Sequence, residues 1–234
     1  MGKFMIDEPP LLAISRRRAP HDASLLDRLR GTPTSFVVDA MGGRGALDWR
    51  IKPLPGGPQA MLGFALTCAN GPDDNLALCA AVAQCQPGEV IVAGTDGYTG
   101  AAVAGDLTLG IARNRGVAGF VTDGLVRDTG DIEALAFPCF AMGVTPNSPN
   151  RNGPGSVGLP IICGGARIET GDIVIGDRDG VVIVPRASAE AVIARLADVR
   201  TAEAALQAAV RAGKTDVDFV AALLAGPRVL YSDQ

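Results

Sequence analysis

Apolar positions along the chain come in short blocks. Their spacing switches repeatedly between that of strands and that of helices. Leu25, Leu26 and Leu29 fit one face of a short helix. Thr34 stands where a cap would open the next helix, which runs through Phe36, Val37, Val38 and Met41 and stops at Gly42-Gly43. The near-continuous apolar run Met61–Ala69 predicts a strand. Residues 74–84 read as a helix ended by Pro87-Gly88, and 89–93 as a short apolar strand. Residues 101–115 read as a helix closed by Gly116, 119–122 as a strand, 129–136 as a helix and 138–142 as a strand. Such βαβα alternation with short links predicts an α/β fold with parallel strands and helical crossovers.

The pattern changes after Gly143. Residues 145–156 hold three Pro, three Asn and two Gly, which predicts a long loop. Short β runs follow at 157–163, 172–175 and 181–184, the last two joined by the polar turn Gly176-Asp177-Arg178-Asp179-Gly180. That turn has the look of a calcium loop but lacks the Glu such a loop needs at its end. Residues 188–212 read as a long amphipathic helix and 217–224 as a shorter one. Pro9, Pro10, Pro20 and the run Arg16-Arg17-Arg18 make residues 1–22 look like an N-terminal arm. The expected organisation is therefore an arm (1–22), one α/β domain (23–212) and a C-terminal helical extension (213–234).

Composition narrows the chemistry. The chain has 234 residues, 30 of them Gly and only 4% aromatic, and a formal net charge of −4. That leaves no basic footprint for nucleic acid. No apolar run is long enough for a signal peptide or a membrane span, so the chain reads as soluble and cytoplasmic. The five Cys form no C-x-x-C pair and each sits in an apolar segment, which suggests buried reduced thiols rather than a disulfide scaffold or zinc cage. The single His, His21, lies in the presumed arm. A Ser-His-Asp or Cys-His machine then lacks its base. Gly42-Gly43-Arg44-Gly45 lacks the Lys-Ser/Thr ending of a phosphate loop, and no dinucleotide fingerprint follows a strand. Chemistry is left to carboxylates, Arg, backbone N–H groups and a hard metal.

Two stretches can supply it. Asp123-Gly124-Leu125-Val126-Arg127-Asp128 follows a buried strand, and ligand sites in open α/β sheets lie beyond the carboxyl ends of strands. Arg127 offers a fork for a carboxylate, and Asp128 an oxygen ligand for a hard cation. The same residues also suit a helix-capping Asp and a surface Arg. The second stretch is 97–108, where free N–H groups near a helix start could bind an anion, or which could be a plain glycine-rich connection. Twenty residues separate Asp106 from Arg127-Asp128, one helix and one strand, so both can return to one rim.

Five stretches in order carry a resemblance: Gly105-Asp106-Leu107-Thr108, Arg115-Gly116-Val117-Ala118-Gly119, Asp123 to Asp128, Gly171-Asp172-Ile173-Val174, and Asp179-Gly180-Val181-Val182-Ile183-Val184-Pro185. Over roughly residues 30 to 210 the chain resembles the class II 4-hydroxy-4-methyl-2-oxoglutarate aldolases. That family shares its fold with the regulator of ribonuclease activity A, and some members were labelled demethylmenaquinone methyltransferases. The resemblance implies a compact α/β/β sandwich of the swivelling phosphohistidine-domain type, with C-terminal helices, assembled as a homotrimer or a dimer of trimers. It implies a small 2-keto acid substrate and a divalent metal, Mg²⁺ or Mn²⁺. Arg127 would hold the pyruvyl end, Asp128 the metal, and the backbone at Gly105, Asp106, Leu107 and Thr108 the carboxylate. Asp106 would order a water, and Glu203 of a neighbouring copy would assist. Aldol cleavage with oxaloacetate decarboxylation is the implied activity, and a non-enzymatic regulator of a ribonuclease is the alternative. Methyl transfer fits less well, because no glycine-rich cofactor loop with an acidic ribose partner is present. Thr108 stands where aldolases commonly carry an apolar residue, Thr201-Ala202 stand where a basic residue usually precedes the Glu, and the Asn- and Pro-rich loop is a further departure.

Overall fold

The computed structural model describes residues 10–17 and 20–232. Pro9 and Arg18 of the expected arm, with the rest of 1–9, lie outside the described residues. By its internal contacts the chain divides into two compact units, 1–196 and 197–234.

In the first unit the elements are β1 (Leu12–Ile14), α1 (Ala23–Leu29), α2 (Thr34–Ala40), β2 (Lys52–Pro53), β3 (Met61–Ala69), α3 (Leu76–Gln84), β4 (Glu89–Gly94) and β5 (Ala102–Ala104). They continue with α4 (Asp106–Asn114), β6 (Gly119–Thr122), β7 (Leu125–Val126), α5 (Thr129–Ala134), β8 (Cys139–Ala141) and β9 (Gly143–Val144). Then follow β10 (Gly155–Val157), β11 (Ile161–Cys163), β12 (Ala166–Ile168), β13 (Ile173–Asp177) and β14 (Gly180–Val184). A 3₁₀ turn at Arg186–Ser188 leads into α6 (Ala189–Arg211), which runs on into the second unit, and α7 (Asp218–Leu224) lies wholly in that unit.

The main sheet has the order β1-β10-β3-β4-β6-β8-β2, with β13 and β14 attached beside β3. Its centre, β3-β4-β6-β8, is parallel. β3 is long enough to serve two neighbours: its start pairs with β13 and its end with β10, both antiparallel. Successive side chains of the central strands enter opposite cores, as the period of two requires. Ile91, Phe120, Cys139 and Leu66 join the core that contains Leu78 of α3, Leu109 of α4 and Ile132 of α5. Val90, Val92, Val121 and Phe140 join the opposite core, with Ile161, Ile168, Val174 and Ile183 from β11 to β14. Helices therefore cover one face and β structure the other, an α/β/β arrangement. A sheet buried on both faces needs apolar residues at every position, which is why β3 and β4 read as continuous apolar runs. Each fully buried Val, Leu, Ile or Phe contributes about 1.5–3 kcal/mol.

Several elements differ from expectation for identifiable reasons. Residues 102–104 are strand, not helix. Ala is the best helix former, but here the Ala102 N–H is taken by the Asn147 carbonyl (3.0 Å) and Ala102 pairs with Leu125. The helix starts only at Asp106, after the extended Gly105. Thr34 is not the cap but the first helical residue of α2. The capping carboxylate comes from Asp177, which accepts from the Thr34 N–H and Oγ1, each at 2.8 Å. Asp177 also accepts from the Asp179 N–H (2.9 Å), so the turn before β14 is a backbone-tied hairpin turn. The run 157–163 is broken into β10 and β11, because Gly158 takes φ +77° and Pro160 has no N–H to pair. Part of the expected arm belongs to the sheet: β1 pairs in parallel with β10. His21 stacks on Phe64 (4.7 Å between ring centroids) and stands 3.4 Å from the buried Glu89.

The second unit, described by itself, is the remainder of α6 and all of α7. No residue of α7 is buried, and Phe219, Leu223 and Leu224 are exposed. Tyr231 closes its end by donating to the Leu224 carbonyl (2.9 Å). Among the described residues no helix is long and apolar enough to cross a membrane.

Candidate active site

Three of the central parallel strands are each followed by a short second strand. The chain leaving β4 returns as β5, that leaving β6 as β7 after Asp123-Gly124, and that leaving β8 as β9 after Met142. β5, β7 and β9 pair in parallel as a separate sheet. This small sheet is the platform from which the candidate residues project.

The junction beneath it is held by Asp123. Its carboxylate is buried and accepts from the Thr95 N–H (2.7 Å), the Thr95 Oγ1 (3.1 Å) and the Gly164 N–H (3.2 Å). A buried carboxylate with three donors is a structural fixture. Gly124 beside it has no room for a side chain, since a Cβ would lie 2.7 Å from Thr95 Oγ1.

From the end of β7 the chain passes to Arg127 and Asp128. The Arg127 N–H donates to the Ala104 carbonyl (3.0 Å), which brings Arg127 against the start of α4. Its Nε stands 3.1 Å from Asp128 Oδ2, and its Nη1 donates to Ser148 Oγ. Both side chains are about one-third exposed, 35% and 38%. Asp128 precedes α5 in the position of a cap, yet its side chain caps nothing. Its backbone is left-handed, φ 56° and ψ 43°, a conformation that Asp tolerates better than most residues. The helix-capping reading of Asp128 is therefore replaced: the backbone geometry turns the carboxylate onto Arg127.

Gly105 makes this approach possible. A Cβ there would lie 2.6 Å from Asp128 Oδ2 and 3.2 Å from Arg127 Nε. It also ends β5 and opens α4, so the N–H groups of Asp106, Leu107 and Thr108 have no acceptor within the helix. They point their partial positive charge at the rim that Arg127 occupies. The structure thus brings Gly105 to Thr108 together with Arg127 and Asp128. Asp106 and Thr108 are half-buried and Leu107 is exposed. Glu203 is half-buried on α6 in the second unit.

One contributor was not legible in the sequence. Ser148 sits in the loop after β9, and only its contact with Arg127 marks it. That loop is anchored on both sides. Asn147 donates to the Gly100 carbonyl (2.8 Å), Asn150 to Asp73 (2.6 Å), and Asp74 accepts from the N–H groups of Asn152 and Gly153. The side chains of Asn147 and Asn150 are thus anchors, a signal that composition carried without saying what they would bind.

The donor set can be tested for a metal. Among the described residues no group of three His, Cys, Asp or Glu could cage an ion. Asp128 has no side-chain partner other than Arg127 among the described residues, and it is open to water. One carboxylate, with Asp106 nearby in sequence to α4's open end, fits Mg²⁺, which binds through one or two carboxylates and keeps its waters. Three of the thiols are no rival nucleophiles. All five cysteines are free, and burial pushes Cys68 up to about 12 and Cys139 and Cys163 well above the usual thiol value.

Comparison with known proteins identifies the family. The pattern of the Aldolase/RraA family, described as RraA-like, matches residues 32–183. A protein of Halalkalibacterium halodurans named "Putative 4-hydroxy-4-methyl-2-oxoglutarate aldolase" is 39% identical over 74% of this chain and 81% of its own. The structure of Streptomyces coelicolor RraAS2, described as an unusual member of the RNase ES inhibitor RraA family, superposes with a TM-score of 0.71 at 26% identity, covering 80% of this chain and 98% of that one. The RNA-processing inhibitor RraA from Thermus thermophilis superposes at 0.61 with 25% identity, over 66% and 93%. Matched over most of its first unit in sequence and in fold, the chain belongs to the Aldolase/RraA family.

Proposed function

We propose that this protein is a class II, divalent-metal-dependent aldolase. It cleaves 4-hydroxy-4-methyl-2-oxoglutarate or a related 4-hydroxy-2-keto acid to pyruvate, and it decarboxylates oxaloacetate. The observation that carries the reading is Asp128, turned by a left-handed backbone onto Arg127 against a glycine that leaves room for both. Backbone strain of this kind costs about 1 kcal/mol or more and concentrates at functional sites.

Each residue has a role in this reading. The N–H groups of Asp106, Leu107 and Thr108 receive the substrate carboxylate. The guanidinium of Arg127 holds the keto oxygen and stabilises the negative charge that develops there as the carbon–carbon bond breaks. A divalent ion held by Asp128, Mg²⁺ or Mn²⁺, supplies Lewis-acid stabilisation of that charge when bound. Asp106 holds a water in place to accept the 4-hydroxyl proton, with Glu203 of a neighbouring copy assisting. Oxaloacetate needs no such base, since CO₂ leaves directly. Leu107, Ile111 and Val144, exposed at 76%, 55% and 59%, lie on elements that bear the rim and support a subunit contact there, within a homotrimer or a dimer of trimers.

Pyruvate release from oxaloacetate with Mg²⁺ or Mn²⁺ tests the reading directly. Turnover abolished by EDTA and restored by the metal is expected. Turnover at background, insensitive to EDTA, overturns it. A second reading, a protein-binding regulator of a ribonuclease, is favoured by the likeness to the Thermus inhibitor. An Asp128→Ala protein separates the two, because it loses turnover under the first and keeps partner binding under the second.

A further inference from the structure

Gly42-Gly43-Arg44-Gly45 takes no part in the rim around Arg127. Gly42, Gly43 and Gly45 adopt φ of +67°, +81° and +90°, where a side chain would be strained. The stretch is thereby a tight reversal after α2 that presents Arg44. The cavity it borders also receives Arg167 of β12 and Arg195 of α6. Arginines from three remote parts of the chain therefore meet at one place. The cavity has a volume of about 420 Å³ and an apolar floor that includes Met41, Ile183 and Val192, the last two 2% and 5% exposed.

Its charge is compensated only in part. Among the described residues no Asp or Glu lines the cavity. Arg167 pairs with Glu169 (2.8 Å), and Arg195 donates only a long hydrogen bond to the Ala40 carbonyl (3.4 Å). Arg44 has no hydrogen bond or ion pair among the described residues. Like charges gathered around one cavity repel, and this occurs in a chain of net charge −4, where carboxylates outnumber cations. An anion relieves that repulsion. Guanidinium forks suit the oxygens of a phosphate or a carboxylate, and the floor suits an apolar body. The volume lies within the range of small-molecule sites.

We propose that this cavity is a second ligand site, taking a small organic dianion with an apolar body. It shares no residue with the rim that bears Arg127, and it does not depend on the aldolase reading.

Calorimetric titration of the full chain carrying Arg127→Ala tests this, because that substitution removes the rim's guanidinium as a competing anion site. Phenyl phosphate is the probe, with inorganic phosphate and phthalate alongside. Phenyl phosphate is expected to bind with a submillimolar Kd, about tenfold or more tighter than inorganic phosphate, and adding Arg44→Ala weakens it by about tenfold. Phthalate binding as well as phenyl phosphate assigns any dianionic head, and weaker phthalate binding assigns a phosphate. Arg44 is exposed on a turn, so its removal leaves the core intact, and Arg195→Ala serves as a second variant with the same expected loss. No binding, equal affinity for phenyl and inorganic phosphate, or affinity unmoved by both arginine variants overturns the proposal.

Discussion

Asp123 and Asp128 stand five residues apart on one stretch of chain and live in opposite surroundings. The first is buried among three donors from Thr95 and Gly164. The second is open to water and strained in its backbone, and among the described residues its carboxylate is held only by Arg127. Every lone pair that Asp123 spends on the protein is unavailable to a ligand. Asp128 keeps its capacity, and the chain bears the cost in an unfavourable φ. The same side chain therefore serves as a rivet in one place and, in the proposed reaction, as a reagent in the other, and satisfaction of its oxygens tells the two apart better than residue type does.

Substitutions can break this contrast, and the largest effect falls on the open rim. Arg127→Ala should lower kcat/KM for oxaloacetate by about 10²–10³-fold, as loss of a group facing developing charge does, while urea unfolding changes by no more than about 0.5 kcal/mol. The buried partner should behave inversely. Asp123→Ala leaves the Thr95 and Gly164 donors unpaired, so unfolding free energy should fall by about 3 kcal/mol. Steady-state turnover measured well below its melting point should change far less. A Gly105→Ala protein sharpens the comparison, because the new Cβ meets Asp128 at 2.6 Å and must displace it. Activity should drop by about tenfold or more at nearly unchanged stability. Ser148→Ala carries the smallest expected effect, a rise in KM of about two- to fivefold at unchanged kcat, from loss of the group that steadies Arg127 before substrate arrives.

What could be read in advance follows the same division between local and remote causes. The bounds of β3 match the apolar run that predicts it, since burial on both faces leaves its mark on every residue. The spacing from Asp106 to Arg127-Asp128 is legible because a helix and a strand return the chain to the same edge, where the short β7 then follows. The failures lie where a distant partner decides. Residues 102–104 form a strand because Asn147 and Leu125 pair with them, and no local propensity contains that information. Asp177 caps α2 from the far end of the sequence, and Ser148 reaches Arg127 from a loop without periodicity. The turn at 176–180 is the hairpin turn its sequence predicts, and only its second task, the remote cap, was hidden.

The pairing of long strands with short ones has a bearing on how this fold could be redesigned. β5, β7 and β9 hydrogen-bond to one another, not to the strands that precede them. The upper tier is thus a cassette, joined to the slab through connections as short as Asp123-Gly124 and Met142. Lengthening the loop after β9, or exchanging residues that follow β5, would reshape the rim around Arg127 while the register of β3, β4, β6 and β8 stays fixed. Substrate range and folding stability become separately adjustable quantities, with Asp123 as the joint between them.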